Sequence, residues 1–186
     1  MELNQTRTWQ VGRQKWRVKQ KLTNPDRVEQ STKCSAKTRR NVWCRNRTRR
    51  SDMCQPHLMK FKNLRITDSN IRTPGLGLFS AYKPIERNRI ITPYTGIESS
   101  VPINGNYVLE VKKNRFINAN RNIDTAGFAN DCRARNKRNN ECQGTNAKFS
   151  YNNKSKTVSL VSTKRILPKS EIFMSNGSDY WNKMGR

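Results

Sequence analysis

Acidic side chains are scarce in this sequence: 13 Asp and Glu stand against 38 Lys and Arg, a formal net charge of +25 over 186 residues. The imbalance runs the whole way along, with 15 basic against 4 acidic residues in 1–58 and 23 against 9 in 59–186. A field of that sign attracts nucleic acid or acidic protein surfaces in a salt-dependent way, and it disfavours a free basic peptide as partner. Long apolar runs are missing too. Nothing approaches the ~20 residues of a membrane span, and Met1–Gln10 has no signal-peptide core. The expectation is a soluble intracellular protein. No stretch reads as a long amphipathic helix, and the five cysteines are an odd number, a poor start for a disulfide framework. Metal binding is the better first reading of them.

Histidine occurs once, and its position gives it weight. Cys34, Cys44, Cys54 and His57 follow the spacing C-x9-C-x9-C-x2-H. Three thiolates and one imidazole make a tetrahedral set suited to Zn²⁺. The closing C-x2-H pair suits one helical turn, which puts both ligands on the same face. A short segment rich in arginine and poor in core residues needs such a staple to fold. With Arg39, Arg40, Arg45, Arg47, Arg49 and Arg50 between the ligands, this knuckle presents a basic surface to phosphate. Four protein ligands leave no open position for metal catalysis.

The chain divides by texture into a basic arm (1–30), the knuckle (31–60) and a larger domain (61–186). In the arm, Trp9, Val11, Trp16 and Val18 sit among charges at a period nearer two than 3.6, so an extended arm and a frayed helix are both open. From Asn63 onward short β-like runs take over: Leu64, Ile66 and Ile71 in one, RNRIITPYTG in the next, then Tyr107, Leu109 and Val111 at period two. Asn104-Gly105 and Asn152-Asn153 are turn signals, the second joining AKFSY to TVSLV as a hairpin. On these grounds alone the domain is compact and mostly β, and a barrel and a sandwich are equally open.

The stretch Thr73–Gly96, TPGLGLFSAYKPIERNRIITPYTG, places two glycines among apolar residues, where a missing Cβ lets backbone approach a ligand. Taken with the later GFAND, TNAKF and EIFMSNGSDYW, it resembles the SET domain of protein lysine methyltransferases, over roughly Asn63 to Trp181. The knuckle likewise resembles small Cys3His modules in proteins of large DNA viruses and protists. The resemblance implies a mostly β, SET-like fold of several small sheets with a threaded C-terminal segment. It implies that Gly75, Leu76, Gly77, Leu78 and Asn130 line S-adenosylmethionine, with Phe79 in the core. Tyr94 matches the family's tyrosine near the substrate amine, and Asn118 replaces an acid in the family's F-I-D-A strand.

Departures from the family pattern decide the functional expectation. Gly127 and Asp131 replace an arginine and a histidine, and Asp131 is acceptor-only when ionised. In the closing strand, Asn176 stands where the family places the tyrosine beside the transferred methyl group. Methyl transfer needs a dry, aligned, deprotonated amine, and an amide supplies neither the phenol nor the aromatic wall. Tyr180 and Trp181 read as core, and Cys132 and Cys142 as free thiols ahead of a mutual pair or a metal site. The expectation is a non-catalytic SET-fold protein acting as a basic structural or interaction component of a large assembly, a virion shell or nucleoprotein complex, and so nuclear or virion-associated. The alternative is an S-adenosylmethionine-dependent lysine methyltransferase acting on histone or another basic protein.

Overall fold

The computed structural model describes residues 5–11, 14–20, 31–71, 75–101, 108–119, 125–131 and 144–176. The expectations that concern Thr73, Asn104-Gly105, Tyr107, Cys132, Cys142, Tyr180 and Trp181 lie outside the described residues. Among those described, no helix is long and apolar enough to cross a membrane.

The arm takes the extended form of the two open to it. Strand β1 (Gln5–Val11) pairs antiparallel with β2 (Gln14–Gln20), with Trp9 opposite Trp16. In the knuckle, β3 (Thr32–Lys33) pairs with β4 (Arg47–Thr48), and a single helical turn, α1 (Gln55–His57), follows. Pro56 lies in its first turn, where a missing N–H costs nothing. A π-helical turn over Leu58–Lys62 continues it and ends at Asn63, whose φ of 55° is left-handed. Asparagine tolerates that region, and here its side chain also accepts from the N–H groups of Tyr82 and Lys83 at 2.9 and 3.0 Å.

The larger domain is a set of small sheets, as expected from its short runs. Strand β5 (Leu64–Asp68) pairs antiparallel with β6 (Leu76–Ser80). Strand β7 (Ile90–Tyr94) lies at one edge of a three-stranded sheet, while β8 (Ile97–Ser99), β9 (Val108–Lys112) and β10 (Arg115–Asn118) form another in the order β8-β10-β9. After a 3-10 turn over Thr125–Phe128 comes the short β11 (Asn130–Asp131). Strands β12 (Ala147–Asn152) and β13 (Thr157–Ser162) make the hairpin read from the sequence, and β13 pairs onward to β7. The turn signal works through a side chain: Asn152 Oδ1 accepts from the N–H groups of Lys154 and Ser155. The two-residue β14 (Phe173–Met174) pairs parallel to β11.

Period-two burial explains the layering. Leu64 and Ile66 on β5 and Val158 and Leu160 on β13 point inward while their neighbours do not. Strand β6 is buried along most of its length, because β5 lies on one edge and the run 170–172 on the other. The core gathers Leu58, Leu64, Leu78, Leu160 and Ile172, each at 0–1% exposure. A second, smaller cluster holds the three knuckle cysteines with Ala36, and Met53 packs against both clusters. Gln55 joins them through its amide, which donates to the Ile66 carbonyl at 3.0 Å and accepts from the Ile66 N–H at 3.4 Å.

Candidate metal centre and the Glu171 network

The four residues expected to hold metal converge. The Sγ atoms of Cys34, Cys44 and Cys54 and a ring nitrogen of His57 all lie within 4.8 Å of one another. Cys34 Sγ and Cys54 Sγ are 3.4 and 3.3 Å from His57 Nδ1, and Cys44 Sγ is 4.0 Å from Cys54 Sγ. A tetrahedron with Zn–S of ~2.3 Å has edges of about 3.8 Å, so the donor set fits Zn²⁺ with Nδ1 as the imidazole ligand. Cys54 occupies the N-cap of α1 and His57 its last position, the one-turn arrangement that the C-x2-H spacing implies.

Amide donors surround the sulfurs as they do in sites built for thiolates. Cys54 N–H points at Cys34 Sγ at 3.2 Å and Asn46 Nδ2 at Cys54 Sγ at 3.7 Å. The two sulfurs titrate in opposite directions. At Cys44 the Asn46 backbone N–H favours the thiolate, but desolvation and the neighbouring sulfurs outweigh it and raise the thiol. At Cys54 desolvation is outweighed by the His57 backbone N–H, the Asn46 side chain and the neighbouring sulfurs, and the thiol is lowered. Cys44, Cys54 and Cys34 are all reduced and buried. The phenyl ring of Phe61 stacks on His57 at 5.5 Å between centroids and fixes the imidazole plane.

The residues that the family resemblance assigns to a cofactor sit together at the junction of β6, β11 and β14, around a residue the sequence reading passed over. Glu171 is buried at 3% exposure. Its carboxylate accepts from Ser69 Oγ at 2.7 Å, from the Asn70 N–H at 2.7 Å and from Asn130 Nδ2 at 3.2 Å. Those donors satisfy the buried carboxyl oxygens. The direction in which Gly77 would project a side chain is filled by this carboxylate: an ideal Cβ there would lie 2.3 Å from Glu171 Oε1. A side chain on residue 77 would therefore have to push the Glu171 carboxyl aside.

The surrounding backbone is committed to the protein as well. The Gly75 carbonyl accepts from Ser69 N–H, the Leu76 carbonyl from Asn130 Nδ2 at 3.0 Å, and the Leu78 carbonyl from Ile172 N–H. Asn130 Nδ2 is shared further with Ser69 Oγ at 3.2 Å. Three carbonyls of the run 75–78 and the Asn130 amide nitrogen are thus bonded to protein.

Asn146 completes the junction. Its side chain donates to the Glu171 carbonyl and accepts from the Phe173 N–H, both at 2.9 Å, imitating a strand neighbour for the C-terminal run. Asn176, at the tyrosine position of the resemblance, is exposed, and its backbone N–H donates to Asp131 Oδ2 at 2.7 Å. Asp131 is itself buried, so its carboxyl oxygen serves an internal bond here. Tyr94 is buried at the end of β7, its ring 4.9 Å from that of Phe149 at an interplanar angle of 57°. Phe79 is buried, as its core reading requires. No local pattern marks Glu171, Ser69 and Asn146 as a network, since they meet across 25 to 102 positions.

No protein-family model matches the chain, and no curated protein matches it. Solved structures similar to it include the methyltransferase domain of human PR domain-containing protein 2, at 20% identity and a TM-score of 0.47, over 67% of this chain and 85% of that one.

Proposed function

We propose that this protein is a non-catalytic SET-fold protein with a zinc-stapled knuckle, acting as a basic structural or interaction component of a polyanion-rich assembly such as a nucleoprotein complex or virion shell. The observation that carries the reading is the commitment of the expected cofactor-facing groups to Glu171. A groove that binds S-adenosylmethionine needs donors and acceptors facing the ligand; here the Asn130 amide nitrogen and the carbonyls of Gly75, Leu76 and Leu78 face protein. Asn176 adds to it, because an exposed amide supplies no phenol to an amine. The knuckle contributes structure: four protein donors saturate a tetrahedral ion and leave no position for water or substrate.

The charge supports the partner class. Residues 31–62 hold ten Lys or Arg against the single acid Asp52. Among the described residues the ion pairs are Arg115–Glu98 and Arg165–Glu86, neither of them in the knuckle. Arg47 is held by Ser31, and the remaining knuckle arginines offer their charge to phosphate or carboxylate groups of a partner.

A second reading, an S-adenosylmethionine-dependent protein lysine methyltransferase, draws on Tyr94, which ends its strand beside an aromatic ring as a lysine-channel tyrosine would. The deciding experiment incubates purified, zinc-loaded protein with radiolabelled S-adenosylmethionine and histones, with and without DNA. No incorporation above a heat-treated control is expected, and labelling of lysine at an enzymatic rate would reverse the assignment.

A further inference from the structure

The knuckle carries a tryptophan that contributes nothing to its core. Lys37 and Trp43 form an antiparallel bridge at the base of a tight loop, closed by Thr38 N–H to the Val42 carbonyl at 2.8 Å and Asn41 N–H to the Thr38 carbonyl at 3.0 Å. Asn41 takes the left-handed conformation, φ 59°, that the reversal needs. Ligands Cys34 and Cys44 flank the loop, and Cys44 N–H bonds the Ala36 carbonyl, so the metal centre anchors its base. Trp43 is nonetheless 62% exposed, with Val42 beside it at 54%.

An indole left in water forgoes one of the larger burial gains a side chain offers, and its place among cations suggests why. Lys37 Nζ lies 5.1 Å from the Trp43 ring centroid, and Arg39, Arg40 and Arg45 are exposed within four residues of it in sequence. A flat apolar ring interleaved with guanidinium groups matches a polymer that alternates flat bases with phosphates. The bases of a duplex are stacked on one another, whereas those of a single strand present free faces. We infer that the knuckle loop binds single-stranded nucleic acid, with Trp43 as the stacking platform for one base and Lys37, Arg39, Arg40 and Arg45 on the flanking phosphates. The inference rests on the polyanion reading above and names its partner.

The test uses the full-length, zinc-loaded chain and two probes: a fluorescein-labelled twelve-thymidine oligonucleotide, read by anisotropy, and heparin, a polyanion without bases. Trp43→Ala should weaken oligonucleotide binding about ten-fold, because one stacked base is lost, and leave heparin affinity within about two-fold. Trp43→Phe keeps a ring and should stay within about three-fold of the parent. Tyr82→Ala, which removes an equally exposed ring from the loop after β6, should change neither affinity. Unchanged zinc content and far-UV circular dichroism verify that the loop variants are folded. If Trp43→Ala binds the oligonucleotide like the parent, or loses heparin to the same extent, the stacking role is refuted while the polyanion reading stands. Trp43→Ala that spares both probes but abolishes self-association would assign the ring to a protein contact and refute the inference. If the parent binds neither probe, both readings fall together.

Discussion

Glu171 Oε1 occupies the space that a side chain on residue 77 would claim, only 2.3 Å from where an ideal Cβ would stand. The two positions are therefore bound to one another: the carboxylate enters the core because the strand beside it carries no side chain there. Gly77→Ala should displace Glu171 from its three donors and destabilise the fold by roughly 1–3 kcal/mol. Urea unfolding checks this, and a variant with an unchanged midpoint would show that the junction adjusts freely.

Asn146 provides a second test of the same junction. Asn146→Ala removes one donor from the Glu171 carbonyl and one acceptor from the Phe173 N–H. Two buried backbone groups lose their partners, at roughly 2–3 kcal/mol together. Hydrogen exchange should show the Phe173 amide losing protection first, and equal loss across the whole chain would argue for a global cause instead.

Metal removal should act on the knuckle before the rest. Chelation is expected to release about one zinc per chain and to unfold the segment around Cys34–His57, since that cluster is otherwise only three cysteines, Ala36 and a share of Met53. Cys44→Ser should do the same without chelator. Elemental analysis with circular dichroism reads both, and a metal-free protein that keeps the knuckle would contradict the site.

S-adenosylmethionine should leave thermal stability where it is. A ligand at about 100 times its Kd would add about 2.7 kcal/mol to the folded state, several degrees in Tm for a chain this size. No shift at millimolar cofactor is expected, and a reproducible rise would return the molecule to the methyltransferase class or to a cofactor-dependent scaffold.

Binding to heparin or single-stranded DNA should fall at least about ten-fold between roughly 50 and 200 mM salt, because each phosphate contact releases counterions. Affinity indifferent to salt would exclude charge as its source.

The parts of the molecule legible in the sequence are those whose signals are local. The metal set could be read from spacing alone, since Cys54 and His57 share one turn and the only histidine falls at the fourth ligand position. The β12–β13 hairpin was legible because Asn152 both marks and caps the turn. The junction was not: Ser69, Asn130, Asn146 and Glu171 are brought together by sheet topology, and a polar residue in an apolar run carries no mark of its distant partner. Gly77 shows the ambiguity directly. A glycine that admits a ligand and one that admits a buried carboxylate are the same letter, and the structure places Glu171 on that side.

Strand β14 is short, yet it is reached late. Ser69 and Asn70 must wait for Glu171, 102 and 101 positions further on, before their donors meet its carboxyl oxygens. During synthesis the β5–β6 pair therefore remains without its second edge until residues 170–172 have cleared the ribosome, and closure entropy over such a span makes that step slow. A nascent chain of this protein waits some ninety residues between completing β6 and meeting its second edge, the interval in which a chaperone or an assembly partner has the most to offer it.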